Sequence, residues 1–463
     1  MSFHLGKPIL VMLVLSAVCG AAIALRPRDH RRTDLELWVF ADSHARTYRP
    51  LESVFERKTG ISYRVQSIAV RAENVRLMSK FMSGTSDVPD AVEIEIQSVG
   101  QYFRPPVQDI GFLPLNDYLR RSGWMDKLVR ARLMTWSKDG VIFGVPHDVH
   151  PVTITFRDDL FQQAGVDLAA SKTWPQFQDN CLKFQRYWQS RGLRRFGLEL
   201  PPSLSDYLII MLLQRHINPI DAAGNIYLTD PRVAQTLAFY AQCVAGPRAI
   251  GGWSGSNAAG VLATDLTRGN IGAYFTPDWR VRYVKDYAPT ISGKVRMMAL
   301  PVFDPGDAPT ATWGGTMIGI PRMAKNPDAS WKLIEFLYFS PQGIEARREY
   351  TKILPPIVSL WNDPIYQRED PYFGGQKVEQ LFVRLAAQIP TRTISPATTM
   401  VLLSLSAMVN DARAYVEDHG TAGLEDFCRR ELARAAADLQ QRIDHTRFDE
   451  KTTEEPEPEE SFR

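Results

Sequence analysis

Hydrophobic positions in the first third of the chain switch repeatedly between two periods. Leu35-Glu36-Leu37-Trp38-Val39-Phe40 alternates as a half-buried strand does, and Tyr48 to Lys58 then reads as a helix closed by Gly60. Ile61 to Ile68 predicts a second strand, Ala72 to Ser83 a second helix, and Ala91 to Ile96 a third strand. This alternation predicts βαβ units on a mostly parallel sheet. From Asp139 to Phe177 the pattern is a strand, a turn, a long apolar crossover and helices with clear start signals. Helical periodicity then dominates over Trp174 to Gln189, Leu204 to His216 and Pro231 to Ala245, each ended by Pro, Gly or Asn clusters. Helices with Pro breaks fill Pro341 to about Ile443, and Leu424 to Ile443 is amphipathic. The last stretch, Asp449 to Arg463, holds six Glu with Pro and no apolar period, which predicts disorder. No internal repeat is visible.

Length turns this pattern into an architecture. A chain of 463 residues exceeds what one hydrophobic core supports, so two α/β lobes are expected. A net charge of +2, with Lys and Arg scattered, excludes a nucleic-acid stripe. Of the four cysteines none forms a CxxC or Cys/His cluster, so neither a zinc site nor a disulfide framework is signalled. One bridge among Cys181, Cys243 and Cys428 stays open.

The N-terminus carries Lys7 before an apolar run, Pro8 to Leu25, that ends in Ala22-Ile23-Ala24. This fits a secretory signal with a small-residue cleavage site. The run is also close to the roughly 20 residues that span a bilayer, so retention as an anchor is the second reading. A third is lipid modification, since Leu15-Ser16-Ala17-Val18-Cys19 resembles a lipoprotein box. The basic residues Arg26, Arg28, Arg31 and Arg32 follow the run.

Several motifs occur in order along the chain. Asp139, Gly140, Phe143, Gly144, Val145 and Pro146 precede the crossover; Asp159, Leu160, Phe161, Ala164 and Gly165 follow it; then come Thr173, Trp174 and Phe177. FERKTGISYRV, PDAVEIEI and GFLPLNDYL lie upstream. DLTRGNIGAYFTPDWRVRYV and MALPVFD lie downstream, and Trp313-Gly314-Gly315-Thr316 with Lys325-Asn326 to Phe339 closes the series. Over residues 33 to 443 this resembles the family 1 extracellular solute-binding proteins, the maltose-binding-protein-like components of sugar ABC transporters. The chain has Phe156-Arg157 where that family commonly has Tyr-Asn.

The resemblance implies an α/β two-lobe periplasmic-binding-protein fold of type II with three interlobe crossings, near Val149 to Val152, Ala299 to Val302 and Tyr338 to Gln342. Lobe one would comprise 33–150 and 302–338, lobe two 151–301 and 339–447, with 1–32 a signal or anchor and linker and 448–463 a tail. It further implies a sugar or oligosaccharide ligand, delivery to ABC permease subunits, a monomer, and a periplasmic or otherwise extracytoplasmic location.

In open α/β sheets ligands sit beyond the carboxyl ends of strands. That rule selects Asp42, Ser43 and His44 after the first strand, Glu95 and Gln97 at the end of the third, Asp148 and His150 after the Gly144 strand, and Asp278 with Trp279. The resemblance adds Trp313 near the returning strand and places an aromatic at Trp279. Carboxylates and amides suit sugar hydroxyls, and aromatic faces suit the C–H faces of the ring. Plainer roles exist for each: Asp42 as a helix cap, Trp279 as interior packing, Trp313 as a cover on the crossing, His147 and His150 as loop histidines. A polyamine would instead need several carboxylates, and Asp42, Glu95, Asp148 and Asp278 are the candidates. Glu93 and Glu95 share a strand face, but no catalytic partner accompanies them, so no enzyme, metal or cofactor is expected.

Overall fold

The computed structural model describes residues 7–24, 33–255 and 259–451. Contacts divide the chain into two units, Met1–Asp34 and Leu35–Arg463. In the first, Lys7–Ala24 is one helix with residues 11–21 exposed. The basic linker expected after it lies mostly outside the described residues. Among the described residues no helix is long and apolar enough to cross a membrane.

Among its described residues the second unit contains twelve strands: β1 Leu35–Val39, β2 Tyr63–Ser67, β3 Ala91–Glu95, β4 Ser137–Lys138, β5 Val141–Ile142, β6 Val145–Pro146, β7 Val152–Arg157, β8 Phe196–Glu199, β9 Gly251–Gly252, β10 Ile271–Pro277, β11 Val295–Ala299 and β12 Thr316–Gly319. One sheet has the order β2-β1-β3-β12-β6 and the other β11-β7-β10-β8-β9, with β4 and β5 a separate ribbon. These two sheets are the cores of the two lobes.

Neither sheet is as parallel as the sequence pattern suggests. β1 runs parallel to β2 and β3, as βαβ units require, but β12 returns antiparallel to β3 and β6. In the second sheet β7 lies antiparallel to both β10 and β11. All six residues of β7 and all seven of β10 are buried; β10 is apolar from Ile271 to Phe275, whereas β7 alternates Val152, Ile154 and Phe156 with Thr153, Thr155 and Arg157, which are buried as well.

Local signals set the helix ends. Thr173 and Gln176 form a reciprocal capping box at the start of helix Trp174–Gln189, whose Trp174, Phe177, Cys181 and Phe184 face the second core. Gly60, at φ +74°, supplies the left-handed residue that stops helix Glu52–Thr59. Two boundaries differ from expectation in a way that matters later. A helix already begins at Asp42, and another begins at Ile96 immediately after β3, so the two predicted loops are first turns of helices. At the other end, Leu424–Lys451 continues past Ile443 into the stretch expected to be disordered, and 452–463 lie outside the described residues.

The chain passes between the sheets first at 147–151, from β6 to β7, and again at 300–315, from β11 to β12. The third passage lies later than Tyr338–Gln342. Helix Pro341–Tyr350 still packs on helices Pro327–Phe339 and Asp42–Tyr48 in the first lobe, with Ile344 and Ala346 against that core. Only beyond Tyr350 does the chain cross, after which Tyr372, Phe373, Val378 and Phe382 join a core beneath β10 and β11. Helices Thr398–His419 and Leu424–Lys451 then pack on Pro231–Val244. Cys181, Cys243 and Cys428 are buried free thiols.

Candidate functional site

The residues selected beyond the strand ends separate into a buried knot and a half-open cleft. The knot is centred on Asp148. Its Oδ1 accepts from Arg132 Nη2 at 2.6 Å, and its Oδ2 accepts from the Thr316 backbone N–H at 2.9 Å and meets His150 Nε2 at 3.1 Å. His150 Nδ1 lies 2.5 Å from Asp278 Oδ1, which also accepts from the Trp279 N–H. The other Asp278 oxygen accepts from Leu354 N at 2.8 Å, and Arg132 Nη1 reaches Thr312 Oγ1 at 3.3 Å. Through these bonds one network touches all three passages: 147–151 at His150, 300–315 at Thr312 and the last at Leu354.

Burial makes the network electrostatically tight. Asp148, Asp278, His150 and Arg132 are all less than 5% exposed. Burial alone would raise the Asp148 carboxyl, but His150 and Arg132 hold it well below the ordinary range. Burial alone would lower His150; the carboxylates of Asp148 and Asp278 instead raise it to about 9, so the imidazole is a cation bridging two anions. His150 has φ +54°, a conformation ordinary residues avoid, and Gly315 stands so close to Arg132 that a Cβ there would fall 2.3 Å from Nη2. Asp148, His150 and Asp278 therefore have protein partners for their polar atoms, and none of them lines the cavity that holds Glu95 and Gln97.

His44 is buried too, contrary to its selection as a loop residue. Its Nδ1 lies 2.6 Å from Glu93 Oε2, while Glu93 Oε1 accepts from the hydroxyls of Tyr48 at 2.9 Å and Tyr338 at 2.7 Å. His147 packs against His44, ring centroids 4.4 Å apart and planes tilted by 33°.

The cleft is a cavity of about 370 Å³ lined by Glu95, Gln97, Ser98 and Gln101 from the first lobe, Ser205 and Asp206 from the second, and Thr399 and Ser406 from the C-terminal helix pair. Glu95 caps helix Ile96–Tyr102 through Gln97 N at 2.9 Å, and Gln97 Nε2 reaches Asp206 Oδ1 at 3.4 Å, joining the lobes. Burial raises the Glu95 carboxyl to about 7, with Arg392 and the Gln97 N–H opposing and Asp206 reinforcing the rise. Asp206 is likewise raised, by burial. Arg392 is buried beside both acids, its backbone carbonyl held by Thr135 Oγ1. Asp42 stays exposed and accepts from Ser67 Oγ.

An aromatic series belongs to the second lobe. Trp313 and Trp279 meet edge to face at 5.4 Å, Trp279 Nε1 donates to the Trp313 carbonyl, and Tyr283 lies 5.8 Å further on. Tyr283 interacts with Ser43 and Arg46 of the first lobe. Below, Arg280 is paired with Glu199 at 2.7 Å and stands 4.8 Å over Trp313, stiffening it. Trp313 is nearly covered, and Trp279 and Ser43 are half-buried.

Of the selected residues, the fold thus brings Glu95 and Gln97 to one cavity wall, Ser43, Trp279 and Trp313 to the aromatic side, and Asp148, His150 and Asp278 to the knot. Strand-end reasoning missed Asp206, Arg392, Tyr283 and Arg132. Asp206 carries the one available signal, a polar residue just before the apolar run Tyr207 to Leu213; the others reach the site only through tertiary packing.

A profile described as bacterial extracellular solute-binding protein matches residues 53–372. An arabinooligosaccharide-binding protein of Halalkalibacterium halodurans is 22% identical over 386 residues, covering 81% of this chain and 84% of that protein. One of Bacillus subtilis is 22% identical over 372 residues, covering 79% and 82%. Among solved structures, the sugar-binding protein MalE from Xanthomonas citri superposes with a TM-score of 0.68 at 19% identity, over 88% of this chain and 99% of that one.

Proposed function

We propose a function from one premise: the chain belongs to the bacterial extracellular solute-binding protein family. It captures a sugar or oligosaccharide between its lobes and delivers it to the membrane subunits of an ABC permease. The observation that carries this reading is a pair of interlobe features: a cavity where Glu95 and Gln97 face Asp206, and, outside that cavity's lining, the aromatic series Trp313, Trp279 and Tyr283, whose Tyr283 meets Ser43 and Arg46 of the first lobe. Hydroxyls need the first group and ring faces the second. The names of the two relatives above, each an arabinooligosaccharide-binding protein, support the same class.

The mechanism is differential binding. Ligand held by one lobe gains contacts to the other only on closure, so it shifts the populations by that difference in affinity. The three passages are the pivots, and the knot between them holds their spacing while the lobes move. The chain performs no chemistry on its cargo, acts as a monomer, and reaches the extracytoplasmic side by way of its N-terminal apolar segment, as a cleaved signal or an anchor.

The test is calorimetry and thermal shift of residues 33–448 with arabino-oligosaccharides, lactose and malto-oligosaccharides, against spermidine. A ligand specific for the folded state stabilises it by about 2.7 kcal/mol at a hundredfold excess over Kd. Silence across the saccharides, with a shift for spermidine, overturns the sugar assignment.

A further inference from the structure

His44, Glu93 and His147 stand far apart in the chain, on helix Asp42–Tyr48, on β3 and at the start of the first interlobe passage. The fold brings one ring nitrogen of each histidine and one Glu93 oxygen within 4.8 Å of one another. We propose that these three residues bind one divalent transition-metal ion of the zinc class, which fastens the root of the first passage to the first lobe.

Three observations carry this. His147 is fully buried, and neither of its ring nitrogens has a hydrogen-bond partner among the described residues. A buried polar atom without a partner is costly, and His147 holds two. Its Nδ1 lies 3.6 Å from Asp148 Oδ2, too far for a hydrogen bond but in the place where a carboxylate orients a ligating imidazole from behind. A metal on the ring is the partner that the surrounding side chains do not supply.

Glu93 is the second observation. Its Oε2 meets His44 Nδ1 at 2.6 Å, and its Oε1 receives two tyrosine hydroxyls, which fix the carboxylate plane as outer-shell donors do at metal sites. An ion takes the place of the proton shared by His44 and Glu93, which is released on binding. With metal–ligand bonds of about 2.0–2.2 Å, tetrahedral ligand atoms stand roughly 3.3 Å apart. The short contact must open and the longest must close, each by less than roughly 1.5 Å, which side-chain rotation supplies.

The third is ligand type: two imidazoles and a carboxylate suit zinc, cobalt or nickel, whereas magnesium and calcium prefer all-oxygen sets.

The site is sealed, so the ion enters during folding and the test must include refolding. Full-length protein is unfolded with a chelator present, refolded with Co²⁺, with Zn²⁺ or without metal, desalted, and its metal content measured. We expect about one equivalent retained and, for Co²⁺, the intense visible absorption of a four- or five-coordinate ion. His147→Ala and Glu93→Gln should lose the ion, while His419→Ala, at an exposed position, should keep it. Refolded wild type holding less than roughly a tenth of an equivalent, or Co²⁺ giving only the weak six-coordinate spectrum, overturns the proposal. So does His147→Ala retaining the full equivalent. Should the variants fail to fold, the wild-type stoichiometry and spectrum decide alone, and neither depends on sugar binding.

Discussion

The knot and the wall of the cleft use the same kinds of side chain in opposite ways. Asp148 has an arginine, a histidine and a backbone N–H on its two oxygens, and its carboxyl is held far down. Glu95, also at the end of a first-lobe strand, has one backbone N–H, and burial raises its carboxyl to about 7. Asp148 is fully buried, with three of its roughly four lone-pair sites taken by the protein. Glu95 retains lone pairs facing a cavity. Position beyond a strand end does not make a binding residue; unfilled hydrogen-bonding capacity at that position does.

The largest expected effect breaks this comparison at the knot. Removing one member of a buried ion pair leaves its partners uncompensated and costs about 3–5 kcal/mol. Asp148→Ala and Asp278→Ala should each lose that much in urea unfolding, whereas Asp206→Ala, on the half-open wall, should lose under about 1 kcal/mol. Equal losses at Asp148 and Asp206 would erase the distinction between knot and wall.

The next effect is pH dependence, and its sign follows from His150. Its folded pKa of about 9 lies above the ordinary value of 6.5, so its contribution is complete below pH 6.5 and disappears as pH rises through 9. Glu73 and Glu95, raised to about 9 and about 7, favour the folded state when protonated and so lose stability in the same direction. The informative quantity is therefore the difference between wild type and His150→Gln. Between pH 6 and 9.5 wild type should lose on the order of 1–3 kcal/mol more than the variant. Parallel pH profiles would show that His150 is neutral in the fold.

How much of this was legible in the chain follows from the range of each interaction. The capping box at Thr173, the stop at Gly60 and the strand sequence from β1 to β3 are local, and the sequence reads them to within a few residues. The motifs over 33–443 carry the two-lobe fold. The antiparallel return of β12 and the late third passage depend on which distant surface a segment packs against, and no spacing rule reports that. The same holds for the site: Trp279 and Glu95 are visible as residue types after strands, but the burial of Asp148 depends on Arg132, and that of His44 on Glu93, across the fold.

On the aromatic side, Trp279→Ala should weaken saccharide binding about tenfold or more, close to 1.4 kcal/mol. Trp279 is half-buried and its ring contacts are Trp313 and Tyr283, so the variant should keep a folded circular-dichroism spectrum. Unchanged affinity in a folded variant would move the stacking face elsewhere and leave Trp279 a packing residue, on the knot's side of the comparison.

The smallest effect is the sharpest test of unfilled capacity. If Glu95 accepts ligand hydroxyls, the ionised form binds better, because hydrogen bonds to a charged acceptor are roughly twice as strong as neutral ones. A carboxyl raised to about 7 is half-ionised near neutrality, so saccharide affinity should rise a few-fold between pH 6 and 8. Glu95→Gln keeps the shape of the wall and one acceptor but cannot ionise, so its affinity should be slightly lower at pH 8 and its pH slope shallower than that of wild type. Asp206, also raised, adds a slope of the same sign, and the variant retains whatever part belongs to it. A slope in Glu95→Gln identical to wild type would assign the whole dependence to Asp206 and put Glu95 among the residues that serve only to cap their own helix.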